Sequence, residues 1–383
     1  MNTRLPGLLI RAERLRRNWS QSGLCCGICA VSYLSKIEKG KAEATPEVLR
    51  LLFERLELHW YDDAEMLRYV KDAVEAGYEA AFSEDEDGIK EFLAALEADR
   101  ERFENGPYMM DVLLLHGWFT HKTPPFAAEC ESLLDDRQRT LLYALQKRHE
   151  DILRFNPCAL AYLLAGNSAA GDGKHSVALE LLQRGYDLAA REGRVYIMIQ
   201  CRSLMGNCYS ILKDIAHMQE HYRATERLAR AVNHRDMLET LRYNEASTLL
   251  EVGKPEPAYA YFSALEAPGA MALHKLAICC EKLGHRDEAL SALDRVSEAP
   301  LEYPDRETVA RMCALVRYRL EHPDYLQKPE YGEMLLGCFR DMRRELPCGY
   351  ADFHLPWVLE WHRAARQYKQ AFELLQSFQS NRS

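Results

Sequence analysis

The chain has 383 residues, of which 48% are hydrophobic and 28% charged, and its net charge is −9. This composition is that of a globular protein with an apolar core, and the length allows about two to four domains. No apolar run approaches the roughly 18–20 residues that a membrane-spanning helix needs. Residues 1–17 also lack the long apolar stretch of a signal peptide. We therefore expect a cytoplasmic protein without a membrane partner.

Charge is unevenly distributed along the chain. Residues 1–60 hold ten Lys and Arg against six Glu, a balance of +4, whereas residues 61–383 hold 39 basic and 52 acidic residues, a balance of −13. A polyanion such as DNA is therefore expected to contact the N-terminal segment only, because the acidic remainder repels nucleic acid.

The first sixty residues predict a bundle of four or five short helices. Pro6 suits the first turn of a helix, Ser20 is a candidate N-cap for the second, and Gly27 ends that helix. A third helix is expected from about Ala30 to Glu38, and Thr45-Pro46 marks the start of a fourth. Two short helices joined by a tight turn in a basic segment form the helix-turn-helix pattern, in which the second helix enters the major groove.

Residues 21–40, QSGLCCGICAVSYLSKIEKG, resemble the Xre-type helix-turn-helix, and most closely the branch found in the regulators PlcR, NprR and Rgg. The resemblance implies two sets of DNA contacts and a structural role for Glu38. Phosphates would be contacted by Gln21, Ser35 and Lys36, and bases by Ala30, Val31, Ser32 and Tyr33. The base-facing set holds no Arg or Asn, so sequence preference would depend on thymine methyl groups and DNA shape. The alternative is a small helical bundle that binds no DNA.

The twelve cysteines mostly lie within helical patterns and are expected to be reduced core residues. Cys26 and Cys29 form a C-x-x-C pair, a spacing used for zinc and for redox chemistry. A structural zinc site needs four ligands, and no second Cys or His pair is near in sequence. We expect this pair to pack around the turn, and we expect no metal and no cofactor.

The rest of the chain predicts an all-α fold. Residues 61–82 form a connecting helix, and residues 83–383 an α-solenoid of degenerate tetratricopeptide repeats, helix pairs of about 34 residues. In such repeats a small residue in the first helix is followed twelve positions later by another in the second helix, and the two helices cross closely at these positions. The pairs are Gly166 with Ala178, Ala246 with Ala258, Ala277 with Ala289 and, more weakly, Gly206 with Met218 and Leu359 with Ala371. The complete fold is then a five-helix Xre-type domain over residues 1–60, followed by this connecting helix and solenoid.

A stack of helix pairs has a concave surface lined by the first helix of each pair. Counted from the small positions, this surface carries mainly polar side chains: Asn167, Gln200, Ser203, Asn207, Thr240, Tyr243, Asn244, Ser247, His274 and Lys275. Amide side chains suit an extended peptide, because each offers a donor and an acceptor to its main chain. The alternative is an ordinary solvated face.

The plan of a helix-turn-helix followed by such repeats resembles the peptide-pheromone receptors, which include PlcR, NprR and Rgg and, without a DNA-binding domain, the Rap proteins. The resemblance implies a short peptide ligand. The expected peptide-binding residues are Asn167, Gln200, Asn207, Tyr243, Asn244, His274 and Lys275. In this arrangement Asn207 and Asn244 hold the peptide main chain, and Lys275 meets a carboxylate at one end.

No nucleotide-binding, metalloprotease or serine-hydrolase motif occurs in the sequence, so we expect no enzyme. The expected function is transcriptional regulation by a homodimer that binds an operator in double-stranded DNA under the control of a peptide. The candidate dimer surface is the aromatic C-terminal stretch with Phe353, Trp357, Trp361, Tyr368, Phe372 and Phe378. The alternative is an adaptor whose repeats tether a protein partner to DNA.

Overall fold

The computed structural model describes residues 5–61, 63–83, 85–124, 131, 134–301 and 303–380. Every regular element in these ranges is helical, and none is a strand. The predicted all-α class is therefore confirmed. Among the same residues, no helix combines the length and the apolar character that crossing a bilayer requires.

The chain divides into two compact units. The N-terminal unit comprises Met1–Leu164 and Asp187–Ile197, and the C-terminal unit comprises Ala165–Tyr186 and Met198–Ser383. The boundaries predicted near residues 60 and 82 lie within the N-terminal unit and stay predictions.

Four helices form the N-terminal bundle: α1 (Leu5–Arg16), α2 (Gln21–Cys25), α3 (Val31–Glu38) and α4 (Pro46–Arg55). The predicted caps are confirmed, since the Ser20 side chain accepts a hydrogen bond from the backbone N–H of Gly23, and Thr45 accepts one from that of Val48. The fully buried core of the bundle consists of Ile10, Leu24, Leu34, Leu52 and Leu56. These short helices are therefore stabilised by their caps and by a shared apolar core.

Helix α1 crosses α3 at very close range. A Cβ atom on Gly7 would lie 2.3 Å from the carbonyl oxygen of Ile37. Only glycine leaves room for this approach of two backbones, and the sequence pattern did not predict it.

Six further helices lie in the described part of the N-terminal unit before residue 159: α5 (Ala64–Ser83), α6 (Glu86–Ala98), α7 (Arg100–Glu104), α8 (Met109–Thr120), α9 (Asp136–Leu145) and α10 (His149–Phe155). Their core is apolar and includes the fully buried Phe103, Leu115, Leu141 and Ile152. Three helices then contribute residues to both units: α11 (Ala159–Gly171), α12 (His175–Glu192) and α13 (Val195–Ile211).

The remaining elements belong to the C-terminal unit: α14 (Ile215–Ala231), α15 (Arg235–Glu251), α16 (Pro255–Ser263), α17 (Ala270–Leu283), α18 (Arg286–Asp294), α19 (Arg306–Glu321), a 3₁₀ helix η1 (Tyr325–Gln327), α20 (Pro329–Glu345), α21 (Cys348–Ala364) and α22 (Tyr368–Ser380). Helices α13, α14 and α15 have 17 residues each, whereas α16 has nine. These longer helices account for the wide spacing of the first predicted repeats.

The predicted small positions lie where helices cross. A Cβ on Gly166 would lie 2.7 Å from Cγ of Leu182, and one on Gly206 would lie 2.4 Å from the ring of Tyr222. Leu182 lies four residues after Ala178, and Tyr222 lies four residues after Met218, the second position of each pair. The alanines at the other strong positions are buried: Ala178, Ala246, Ala258, Ala277 and Ala289.

Two glycines of α20 provide a matched test of these crossings. A Cβ on Gly332 would lie 2.1 Å from Cζ2 of Trp361 in α21, whereas nothing lies within 4 Å of a Cβ on Gly337. We expect Gly332→Ala to destabilise the protein by about 1–3 kcal/mol through overpacking. Gly337→Ala should stabilise it by up to about 1 kcal/mol, because alanine favours the helix. Urea denaturation followed by circular dichroism measures both changes, and equal effects would contradict the close crossing of α20 and α21.

Candidate DNA-binding surface and ligand cavity

A buried ion pair joins α1 to the end of α3. Nε and Nη2 of Arg14 donate to the two carboxylate oxygens of Glu38 at 2.6 and 2.9 Å, and Glu38 is only 1% exposed. Nε2 of Gln21 donates to the same carboxylate at 2.7 Å, and Nη1 of Arg14 donates to the carbonyl oxygen of Trp19 at 2.7 Å. The structural role expected of Glu38 is confirmed, since its carboxylate holds α1, α2 and α3 together.

The turn between α2 and α3 is held by a residue that the sequence pattern did not single out. Nη1 of Arg55 donates to the carbonyl oxygens of Leu24 at 2.8 Å and Cys26 at 2.5 Å. These carbonyls lie at the end of α2, where no helical N–H reaches them. Gly27 follows with φ of 74°, a conformation that glycine adopts without strain.

The first turn of α3 and the residue before it are open to solvent. Val31 is 45% exposed. Ala30, Ser32 and Lys36 are also exposed, whereas Tyr33, Ser35 and Gln21 are half-buried. The Tyr33 hydroxyl donates to the carbonyl oxygen of Glu43 at 2.9 Å, which positions its ring beside the exposed face. The structure therefore brings the predicted base-facing residues together at one end of α3.

The C-x-x-C pair lies at this turn. Cys26 is exposed and Cys29 half-buried, and burial raises the pKa of the Cys29 thiol. Neither belongs to a group of three potential metal ligands within the described part of the chain. The pair thus offers no set of ligands for a structural zinc ion.

The C-terminal unit contains a cavity of about 440 Å³, which we call the ligand cavity. Its volume lies in the range of small-molecule binding sites. Five of the predicted peptide-binding residues line it: Asn167, Asn207, Tyr243, Asn244 and Lys275. Ser247, Thr248 and Met271 add to the wall from the same helices, and Tyr350 and Phe353 come from α21.

The two central asparagines of the ligand cavity are linked. Oδ1 of Asn207 accepts a hydrogen bond from the Tyr222 hydroxyl at 2.7 Å and one from Nδ2 of Asn244 at 3.3 Å. Burial raises the pKa of Tyr222, so its hydroxyl remains a donor. Thr248 donates to the main-chain carbonyl oxygen of Asn244 at 2.8 Å. The hydrogen bonds at Oδ1 of Asn207 orient both amide side chains.

Lys275 is the unusual charge of the ligand cavity. It is 7% exposed, and its Nζ lies 2.9 Å from the centroid of the Phe353 ring. Burial lowers the pKa of Lys275 from 10.5 to about 7. Lys213 and Glu251, which also line the cavity, form an ion pair with each other. Among the described residues Lys275 forms no ion pair, and the nearby carboxylate of Glu251 only partly offsets the effect of burial on its pKa.

Two predicted residues do not line the cavity. His274 is 0% exposed, and neither ring nitrogen has a hydrogen-bond partner among the described residues. Its ring stacks on His354 with centroids 6.0 Å apart. Adjacent side chains of a helix point about 100° apart, so the helix face that presents Lys275 to the cavity directs His274 into the packed interior. Gln200 lies one turn before Leu204, the first residue of α13 in the cavity wall.

We also expected Ser203 and Thr240 on the concave surface. Ser203 is buried, Thr240 is exposed, and neither lines the cavity. Residues that sequence reasoning missed include Tyr222, Tyr350 and Phe353. Tyr222 lies on α14, the second helix of its pair, and Tyr350 and Phe353 lie on α21, far along the chain from the other cavity residues.

Comparison with known proteins found one similarity in sequence and two in structure. Residues 10–61 match the helix-turn-helix family, and no curated protein matches the sequence. A Rap protein complexed with competence and sporulation factor matches in structure with a TM-score of 0.64 and 15% identity, over 82% of this chain and 99% of the Rap chain. PlcR from Bacillus thuringiensis, in complex with the peptide PapR7 and DNA, matches with a TM-score of 0.29 and 15% identity, over 75% of this chain and 98% of the PlcR chain. The chain therefore combines a helix-turn-helix domain with a fold shared with Rap over most of its length.

Proposed function

We propose that the protein is a transcriptional regulator whose binding to DNA is controlled by a short peptide in the ligand cavity. The observation that carries this proposal is the cavity wall of oriented amides and one buried cation, in a chain that begins with a helix-turn-helix domain. The Rap protein of the same fold was solved with competence and sporulation factor bound. This supports a ligand-binding role for the helical array.

The linked asparagines suit the main chain of a peptide. Oδ1 of Asn207 already accepts two hydrogen bonds, so its free N–H groups are left to donate to a ligand carbonyl. Asn244 keeps Oδ1 as an acceptor and one N–H as a donor, the pair that a peptide unit requires. Two successive peptide groups would thus find partners.

Lys275 suits a carboxylate of the ligand, either its C-terminus or an acidic side chain. An ammonium group in a cavity is worth more to an anionic ligand than one in water, because the surroundings screen it less. The neighbouring Phe353, Met271 and Met312 provide apolar surface for a ligand side chain. A peptide would therefore be held at its main chain, at a carboxylate and at an apolar group.

On the DNA side, we propose that α3 enters the major groove and that the operator has two half-sites. One helix-turn-helix buries too little surface for tight binding, so a homodimer is the expected form. Of the aromatic residues expected at the dimer surface, Phe353, Trp357 and Trp361 are buried and Phe378 is half-buried, so they do not form an open surface. Tyr368 and Phe372 are exposed on α22, together with Leu375 at helical spacing, and α22 is the remaining candidate dimer surface.

Lys36→Ala tests the DNA surface. Because Lys36 is exposed beside the open end of α3, the substitution should weaken binding to all duplexes and reduce the slope of log affinity against log salt by about one. Tyr33→Ala should instead change the preference between sequences. Fluorescence anisotropy with selected and random duplexes measures both. Lys90→Ala, an exposed lysine outside the N-terminal bundle, is the control, and equal behaviour of Lys36→Ala and this control would contradict the assignment.

Asn207→Ala and Asn244→Ala test the ligand cavity. Each should weaken peptide binding by about 1–3 kcal/mol, because a peptide group in the cavity loses its partner. Genomic footprinting identifies bound sites, and peptides encoded by small open reading frames beside them are synthesised as ligands. Calorimetry then measures affinity, and anisotropy measures the change in DNA binding.

The control for this pair is Gln219→Ala, which removes an amide that donates to Glu245 outside the cavity wall. Basal DNA binding should stay unchanged in all three variants. Unaltered peptide affinity in both asparagine variants would reject the cavity as the peptide site. A stable co-purifying protein, with no effect of any peptide, would favour the adaptor function instead.

A further inference from the structure

A group of side chains that could bind a metal ion lies outside the ligand cavity. The Sγ atom of Cys280, a ring nitrogen of His285 and a carboxylate oxygen of Glu288 all lie within 4.8 Å of one another. None of the three lines the ligand cavity or takes part in the DNA-binding surface. Thiolate, imidazole and carboxylate are the three ligand types that zinc accepts in proteins.

The backbone between α17 and α18 creates this arrangement. Helix α17 ends at Leu283, and Gly284 adopts φ of 80°, which reverses the chain. The N–H of His285 then donates to the carbonyl oxygen of Cys280 at 2.8 Å, and the carbonyl oxygen of His285 accepts from the N–H of Ala289 at 3.0 Å. His285 is thereby pinned beside Cys280, and Glu288 follows on the first turn of α18.

A residue from a third helix orients the carboxylate. The hydroxyl of Tyr259 in α16 lies 3.0 and 3.1 Å from the two oxygens of Glu288. Nδ1 of His285 lies 3.6 Å from Oε2 of Glu288, and its ring meets the Tyr259 ring edge-on. A hydrogen bond that fixes a carboxylate from outside the ligand set is a common feature of protein metal sites.

We propose that Cys280, His285 and Glu288 bind a zinc ion, with water in the fourth position of a tetrahedral site. Cys280 is fully buried, whereas His285 and Glu288 are partly open to solvent, so the ion enters from the surface and meets the sulfur last. The Cys280 thiol releases its proton to solvent when the zinc–sulfur bond forms. Magnesium and calcium, which prefer oxygen ligands, do not fit this set.

Bound zinc would join α17 to α18 directly and to α16 through Tyr259. Because an ion that binds only the folded chain stabilises it by mass action, zinc should raise the midpoint of thermal unfolding. The site is independent of the proposed peptide function, since its ligands lie outside the ligand cavity.

Cobalt(II) added to the metal-free, full-length protein provides the test. One equivalent should produce a thiolate-to-cobalt charge-transfer band together with the visible absorption of a tetrahedral ion, and zinc should remove both. His285→Ala should weaken cobalt and zinc affinity at least about tenfold, as expected for loss of a direct ligand. Because the His285 side chain is 48% exposed, this variant should fold normally.

His217→Ala is the matched control, since His217 is an exposed histidine beside a carboxylate, that of Asp214. It should leave the spectrum and the zinc-dependent rise in the unfolding midpoint unchanged, whereas His285→Ala should remove that rise. A protein that gives no charge-transfer band, or one whose band survives His285→Ala unchanged, would overturn the proposal.

Discussion

Glu38→Ala is expected to destabilise the N-terminal bundle by about 3–5 kcal/mol, because removal of one partner leaves the other charge buried and unpaired. The guanidinium of Arg14 loses both hydrogen bonds to the carboxylate, and Gln21 loses its acceptor. The same change should abolish specific DNA binding, since α2 and α3 are then no longer held at the angle that the proposed groove contact of α3 requires.

Hydrogen exchange of the amides in α1–α4, measured in the full-length protein, reports this loss, and anisotropy reports DNA binding. Glu54→Ala is the control, because Glu54 pairs with Arg50 on the exposed face of α4. Surface pairs of this kind contribute about 0.2–1 kcal/mol. If the amides of α1–α4 exchange at the same rate in both variants, the ion pair of Arg14 and Glu38 does not stabilise the bundle.

Lys275→Met is expected to stabilise the ligand-free protein by about 2–4 kcal/mol at pH 7 and to abolish binding of an anionic peptide. Methionine has a similar length and carries no charge, so the cost of burying an ammonium group beside Phe353 disappears. The variant would therefore be more stable and inactive as a sensor.

The effect of Lys275 on the free energy of unfolding changes with pH in a definite direction. The pKa of Lys275 is about 7 in the folded chain, below its ordinary value of 10.5. Between these values the unfolded chain holds a proton that the folded chain does not, so this residue makes stability rise with pH in that window. The advantage of Lys275→Met should be largest below pH 7 and fall below about 1 kcal/mol at pH 10. Urea denaturation at pH 7 and pH 10 measures this advantage, and a constant difference would show that burial does not lower the pKa of Lys275.

Much of the fold followed from local patterns. Ser20 and Thr45 were recognisable as caps because a cap depends on a few adjacent residues. The small positions such as Gly166 and Gly206 were recognisable because close helix crossings recur at fixed spacing. The close approach of Gly7 to Ile37 was not predicted, since it depends on the angle between two helices that no local pattern specifies.

The ligand cavity was harder to predict. Repeat spacing placed Asn207 and Asn244 correctly in the cavity wall. Asn207 directly follows the predicted small position Gly206, and Asn244 lies two residues before the small position Ala246. It placed His274 there wrongly, because one residue along a helix changes the face. Phe353 had been assigned to the candidate dimer surface instead, since it comes from α21, far along the chain from Lys275, and no local pattern brings the two together.

The hydrogen bonds of Tyr222 and Asn244 to Asn207 make the two amides of this pair different in what they can offer a ligand. Asn207 can only donate to a ligand, whereas its neighbour Asn244 can also accept. A peptide with the same amino acids in reverse order would present its carbonyl and N–H groups in the opposite order along this wall. In the proposed peptide site, reversal of the chain direction would therefore change which hydrogen bonds the peptide main chain makes with this pair.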